Sequence, residues 1–290
     1  MDKYQKTIKK EILIEGIGLH SGEYTTLRLI PASENEGINF IKNNEIIPAK
    51  IKYASGFDFS TTIEKNGQKV QTIEHLMASL FFLGIDNIYI EINGKEIPIL
   101  DGSAKSFIEK IKKAGIQNQK AEKVYAVLNK EILVENEDKY IHATISENPV
   151  YRYKAKYNNN IIGNRDFEFK PFEENYNHIA DARTYCFFEE VEFLRQNGLA
   201  RGGSLDNAVV FKDDNVLNPE GLRYEDEPVR HKLLDLIGDL YLLGYPIIAD
   251  ITSFKGGHKL NAEFLRKALK ENAFDFVPAS KLESLNLKVA

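Results

Sequence analysis

His231 and Asp235 stand four residues apart in PVRHKLLDLIGDLYLL. On a helix that spacing stacks two side chains one turn apart, so both can hold one ion. With His231 set at zero, Asp235 falls near 40° and Asp239 near 80° around the axis. Val229, Leu233, Leu236, Ile237 and Leu240 spread over about 140° to 240°. One stripe is apolar and the stripe beside it carries His, Asp and Asp. Neutral imidazole and carboxylate are ordinary zinc ligands. An HxxxD pair alone equally describes a helix with a polar outer face, so a metal reading needs a third ligand.

Glu74 and His75, in TIEHLMASL, supply a candidate. Neighbouring helical residues point about 100° apart and rarely share one metal. They can divide the work, with His75 on the metal and Glu74 as base on the attacking water. HExxH hydrolases use a glutamate in that way, although this segment has alanine at Ala78 and is not that motif. The plainer alternative for Glu74 is an acidic residue favoured by the dipole of the first helical turn. His258 follows two glycines in SFKGGHKLN, where the backbone can approach a ligand closely. A histidine so placed can serve as general acid, or simply open a helix.

The rest of the composition narrows the chemistry. The chain has 290 residues and 43% hydrophobic residues, enough for a sizeable core in two domains or one large one. Its net charge of −5 disfavours a broad nucleic-acid surface. Cys186 is the one cysteine, which rules out an internal disulfide and any multi-thiolate zinc site. Zinc would therefore use histidine and carboxylate, the pattern of catalytic sites. The N-terminal stretch lacks an apolar signal-like run. The apolar stretch Leu233 to Ile251 is interrupted by Asp235, Asp239 and Asp250, short of the roughly 18 uncharged residues of a membrane span. The expected setting is cytoplasmic, without a transmembrane segment.

The elements that must position these groups read as α+β. Residues 6–14 and 24–30 alternate like strands. Gln71 to Leu83 reads as a helix with Thr72 as its N-cap. Asn87 to Ile92 is a strand and Ser103 to Ala114 a helix. The polar stretch Gly115 to Lys123 reads as a linker. Strands follow at Tyr125 to Val134 and Tyr140 to Ile145, and shorter ones at Ala182 to Phe187 and Ala208 to Phe211, with a helix at Glu189 to Gln196 between them. Pro228 to Leu243 is a strong helix, with proline near its start and Gly244 past its end. A strand at Ile247 to Thr252 and a helix at Lys259 to Lys270 close the pattern. Strands in runs followed by helices argue against a doubly wound parallel sheet. The expectation is two related halves, 1–117 carrying Glu74 and His75, and 118–290 carrying His231, Asp235 and His258.

Read together, GIGLHSGE, TIEHLMASL, EIPILDGSAKSF, RTYCF, GLARGGSLDNAVVF, GLRYEDEPVRHKLLDLIGDLYLLG and GGHKLN resemble one family, in the same order from about residue 5 to about 270. It is the UDP-3-O-acyl-N-acetylglucosamine deacetylase family, which performs the committed step of lipid A biosynthesis in Gram-negative bacteria. The resemblance implies zinc-dependent removal of the N-acetyl group of UDP-3-O-(3-hydroxyacyl)-N-acetylglucosamine. It implies His75, His231 and Asp235 as ligands of one Zn2+, with Fe2+ able to occupy the same donors. It makes Glu74 the general base, His258 the second catalytic residue, Asp239 the carboxylate that orients it and Thr184 a hydroxyl for the oxyanion. Lys232 matches a lysine near the sugar and phosphate end.

The implied fold is a two-layer sandwich of two topologically similar domains, each with an active-site insert. The second insert forms an apolar acyl passage, to which Phe188, Val191, Leu205, Ala208, Val210 and the glycines Gly202 and Gly203 correspond. Tyr185 stands where phenylalanine is common, and Ala200 where cysteine is. Residues 55–70 match the first insert poorly and carry no assignment. Tyr151 and Tyr153 are candidates for a uridine-stacking aromatic, against plain strand packing. The implied partner is the UDP-linked acylated glucosamine, and a monomer is expected. The alternatives are a zinc amidohydrolase of another N-acylated sugar and a non-catalytic homologue that binds a nucleotide-linked lipid.

Overall fold

The computed structural model describes residues 1–285, so the last five residues of the expected second half lie outside the described part. Two five-stranded sheets organise the chain. The first has the spatial order Ile12–Ile17, Tyr24–Pro31, Ile88–Ile92, Ile38–Lys42, Glu45–Pro48. The second runs Ile132–Asn136, Lys139–Thr144, Asp250–Phe254, Tyr151–Lys156, Asn164–Phe169. In each, the middle strand pairs antiparallel on one side and parallel on the other. Side chains alternate across the pleat, so Thr25, Leu27 and Leu29 point inward from one strand, and Ile141 and Ala143 from another.

Helices cover the buried faces. They are α1 (Glu74–Phe82), α2 (Lys105–Ala114), the short α3 (Asn177–Ala180), α4 (Phe188–Gln196), α5 (Glu227–Leu240) and α6 (His258–Lys270). Helix α1 packs on α5, and α5 packs on α6 and on Tyr151–Lys156. One hydrophobic core runs through both sheets and through α1, α2, α3, α5 and α6, while α4 packs on a smaller sheet. Every residue of α1 except Phe81 is buried. A helix enclosed on all sides need not be amphipathic, which is why Glu74 and His75 stand in an otherwise apolar run.

Two smaller sheets flank the helices. Ala54–Gly56, Thr62–Lys65 and Gln68–Val70 form one. Tyr185–Phe187, Val209–Lys212 and Asn215–Val216 form the other, with α4 in the connection.

Several elements differ from the pattern in the sequence. Residues 6–14 are two strands, Tyr4–Ile8 and Ile12–Ile17, lying in different sheets. The stretch expected as a linker is a strand, Ile116–Glu122, paired antiparallel with Tyr4–Ile8. Ile116–Glu122 has no buried residue of its own, whereas Ile8 of its partner strand reaches the core, so backbone pairing holds the outer strand in place. Tyr125 to Val134 likewise divides into Val124–Leu128 and Ile132–Asn136, which join separate sheets. Helix α5 gives way at Tyr241–Leu243 to a tighter 3-10 turn that ends at left-handed Gly244. Thr72 does not cap α1. It has φ +60° and its hydroxyl donates to Glu96 Oε1 at 2.8 Å, while Ile73 takes the cap position.

Candidate active site

Glycine at 238 lets α1 and α5 meet. A Cβ there would fall 2.1 Å from the carbonyl oxygen of Glu74, so the two backbones touch where another residue would hold them apart. That contact brings His75 across to the polar stripe of α5. His75 Nε2 lies 3.5 Å from Asp235 Oδ1, and His231 Nε2 lies 3.4 Å from the same oxygen. The three residues offer ligand atoms that all lie within 4.8 Å of one another.

The surroundings prepare these atoms for a cation. His231 Nδ1 donates to the carbonyl of Ala182 at 3.0 Å, which leaves the Nε2 lone pair facing Asp235. Burial, working against the attraction of Asp235, pushes the His231 pKa down to about 3, so the imidazole stays neutral. Burial opposes the charge of Asp235, but the Lys232 ammonium beside it helps hold the carboxyl well below the usual range. Lys232 Nζ donates to Asp235 Oδ2 at 3.0 Å. Asp235 Oδ1 is buried and has no hydrogen-bond partner. An unpaired buried carboxylate oxygen is costly, and a cation between it and two imidazole nitrogens removes the cost. Two nitrogens and one oxygen are a donor set that suits zinc and leaves a coordination position open.

The Ala182 carbonyl is itself held. Its neighbour Arg183 is fully buried, and its main-chain N–H and Nε donate to Glu227 Oε1 at 3.0 and 2.9 Å. Glu227 opens α5 one turn before His231. The ion pair therefore ties the segment that sets the tautomer of His231 to the helix that carries it.

Glu74 and His258 flank this centre as oppositely tuned groups. Glu74 Oε2 accepts the Thr61 main-chain N–H at 3.0 Å. Burial raises its pKa above the ordinary carboxylate range, against the pull of His258 and His75. His258 is the first residue of α6, and its Nδ1 donates to Asp239 Oδ2 at 2.8 Å. Burial disfavours its charge, yet Asp239 outweighs burial and lifts the pKa to about 9. Asp239 also accepts from the Thr61 hydroxyl at 2.6 Å and the Asn261 amide at 2.8 Å. A carboxyl made more basic beside an imidazolium kept protonated is an arrangement for moving protons at neutral pH.

A cavity of about 420 Å³ opens over these groups. Glu74, His75, His231, Lys232, Asp235 and His258 line it, and so do Thr184, Tyr185 and Cys186. Phe188, Val191, Leu194, Gly203, Leu205, Ala208 and Val210 line its apolar arm. Phe188 and Leu205 are partly exposed and form part of its rim. The residues singled out in the sequence are thus brought together in one place, with Asp239 just behind His258. Gly202 stands behind the wall, where a Cβ would fall 2.3 Å from the Gly18 carbonyl. Tyr185 meets Tyr157 hydroxyl to hydroxyl at 2.6 Å.

Tyr151 and Tyr153 are buried in strand packing. Their hydroxyls donate to the carbonyls of Ile247 and Gly256, and neither residue lines the cavity. Thr61 and Asn261, both in contact with Asp239, have no signature in the sequence. Thr61 lies in the poorly matching segment 55–70, and Asn261 reads as an ordinary residue of α6. His20 and Phe59 also line the cavity. The only hint of the former was its place in GIGLHSGE.

A family model described as LpxC, UDP-3-O-acyl N-acetylglycosamine deacetylase, matches residues 5–270. The UDP-3-O-acyl-N-acetylglucosamine deacetylase of Aquifex aeolicus is 44% identical over 267 residues, covering 92% of this chain and 93% of that one. The protein of the same name from Myxococcus xanthus is 40% identical over 285 residues, covering 96% and 91%. The one from Campylobacter fetus is 44% identical over 260 residues, covering 89% and 88%.

Proposed function

The chain belongs to the UDP-3-O-acyl-N-acetylglucosamine deacetylase family, and from that membership we propose how its own residues divide the work of the reaction. The activity is deacetylation in lipid A biosynthesis. Water adds across the amide of the acylated UDP-N-acetylglucosamine, the C–N bond breaks, and acetate and a free amine leave.

His75, His231 and Asp235 would hold one zinc ion per chain, and iron(II) would fit the same donors. A zinc ion there would supply Lewis acidity to the reaction. Glu74 takes the proton from the water, a role suited to a carboxylate whose basicity is raised by burial. The Thr184 hydroxyl donates to the oxyanion as it develops. His258, kept protonated by Asp239, stabilises that charge and delivers a proton to the departing nitrogen. Lys232, a quarter exposed in the cavity lining and paired with Asp235, is assigned to the sugar and phosphate end. The apolar arm from Phe188 to Val210 receives the acyl chain.

The matching strand orders of the two large sheets support a chain of two similar halves, with the proposed boundary between 117 and 118 falling within the strand Ile116–Glu122; the chain is proposed to act as a monomer. No described helix is long and apolar enough to cross a membrane, and a nucleotide-sugar substrate fits a cytoplasmic setting.

One observation carries this reading: a buried, unpaired carboxylate oxygen between two imidazole nitrogens at the floor of an apolar cavity. The test is turnover of UDP-3-O-(3-hydroxyacyl)-N-acetylglucosamine by the purified protein, before and after chelation, with zinc returned. Activity lost on chelation and restored by about one zinc per chain is the expected result. A folded, zinc-loaded protein that leaves this substrate untouched would refute the reading.

A further inference from the structure

We propose that Thr61 is a positioning residue that fixes the base Glu74 relative to the Asp239–His258 pair. The residue is 1% exposed and stands just before the strand Thr62–Lys65. Three of its polar groups are engaged. Its carbonyl accepts the Ile73 N–H at 3.3 Å, at the start of α1. Its N–H donates to Glu74 Oε2 at 3.0 Å, and its hydroxyl donates to Asp239 Oδ1 at 2.6 Å.

The direction of the hydroxyl bond follows from its partner. The other oxygen of Asp239 already accepts from His258 and Asn261, which leaves Oδ1 as an acceptor in need of a donor. With both oxygens held, the carboxylate cannot rotate about its own axis, and the imidazole bonded to it keeps one orientation. The same residue orients the carboxylate of Glu74 through its main chain. A β-branched side chain has few rotamers, so the hydroxyl is held in place by the residue itself. Thr61 thus links α1 to α5, and through Asp239 to α6, from a segment with no other part in the chemistry. It stands behind the cavity surface, so its effect falls on the catalytic groups and not on substrate binding.

The kinetic part of this inference rests on the deacetylase reading, and a second measurement is independent of it. In full-length, zinc-loaded Thr61→Val, kcat should fall about tenfold or more, because a buried carboxylate loses a donor. KM and zinc content should stay near those of the parent, and the thermal midpoint should drop by only a few degrees. Thr61→Ser should recover most of the loss. The downfield imidazole proton of His258, assigned by its disappearance in His258→Gln, should shift in the valine variant and return in the serine variant, with no substrate present. A valine variant with parental kcat and an unmoved proton overturns the proposal, as does a serine variant that loses as much as valine. If the parent protein itself shows no turnover, the deacetylase reading fails, and the imidazole proton still decides the role of Thr61.

Discussion

Gly238 lies against the main chain of Glu74 so closely that a methyl group on it would sit 2.1 Å from the Glu74 carbonyl oxygen. The spacing between α1 and α5, and with it the distance from His75 to Asp235, depends on the missing side chain. Gly238→Ala should force the helices apart and cost about 1–3 kcal/mol or more, the usual cost of overpacking. Zinc affinity should fall together with the unfolding midpoint. Parental affinity in this variant would show that the ligands do not depend on the close contact.

Glu74 is assigned to the proton and not to the metal. Glu74→Ala should retain about one zinc per chain and lose roughly 10²- to 10⁴-fold in turnover, the usual contribution of a general base. Metal analysis beside the rate measurement separates the two roles. A variant that came out metal-free would make Glu74 a ligand.

The shifts at Glu74 and His258 set the pH dependence. Glu74 must lose its proton to act, and its raised pKa puts the acid limb above the ordinary carboxylate range. Activity therefore rises with pH as Glu74 ionises. His258 must keep its proton, so activity declines as the pH passes about 9. His258→Ala should be slow and should flatten the basic limb. An unchanged limb in that variant would take His258 out of the proton transfer.

Metal removal should be visible without any substrate. Zinc that binds only the folded chain stabilises it by about 2.7 kcal/mol at a free concentration one hundred times Kd. The thermal midpoint of the chelated protein should climb as zinc is returned. Asp235→Asn removes the anionic oxygen that has no partner of its own, and its midpoint should hardly respond. An equal response would place the metal elsewhere.

The polar face of α5 was readable because helical geometry turns spacing into direction. His231, Asp235 and Asp239 had to fall on one stripe, and they do. His75 was harder to read, because α1 is buried all round and its sequence has no polar side to point with. The motif resemblance supplied what periodicity could not. Two features escaped. The surface ribbon at Ile116–Glu122 is held by main-chain pairing with Tyr4–Ile8, and such pairing leaves no mark on side-chain pattern. Thr61 and Asn261 each donate one side-chain hydrogen bond to Asp239, across sequence separations that no local pattern encodes. Thr72 misled for a related reason. Its type suits a cap, but a buried glutamate more than twenty positions away in sequence takes its hydroxyl.

His75 sits on a helix in the first third of the chain, while His231 and Asp235 sit on one near its end. During synthesis the early helix emerges with a single donor and nothing to pair with it. A nascent or truncated chain that stops before α5 has no competent centre, however well its first sheet has formed. On the proposed ligand assignment, capture of the ion waits for α5 to be made, and the hydrolytic site waits for α6.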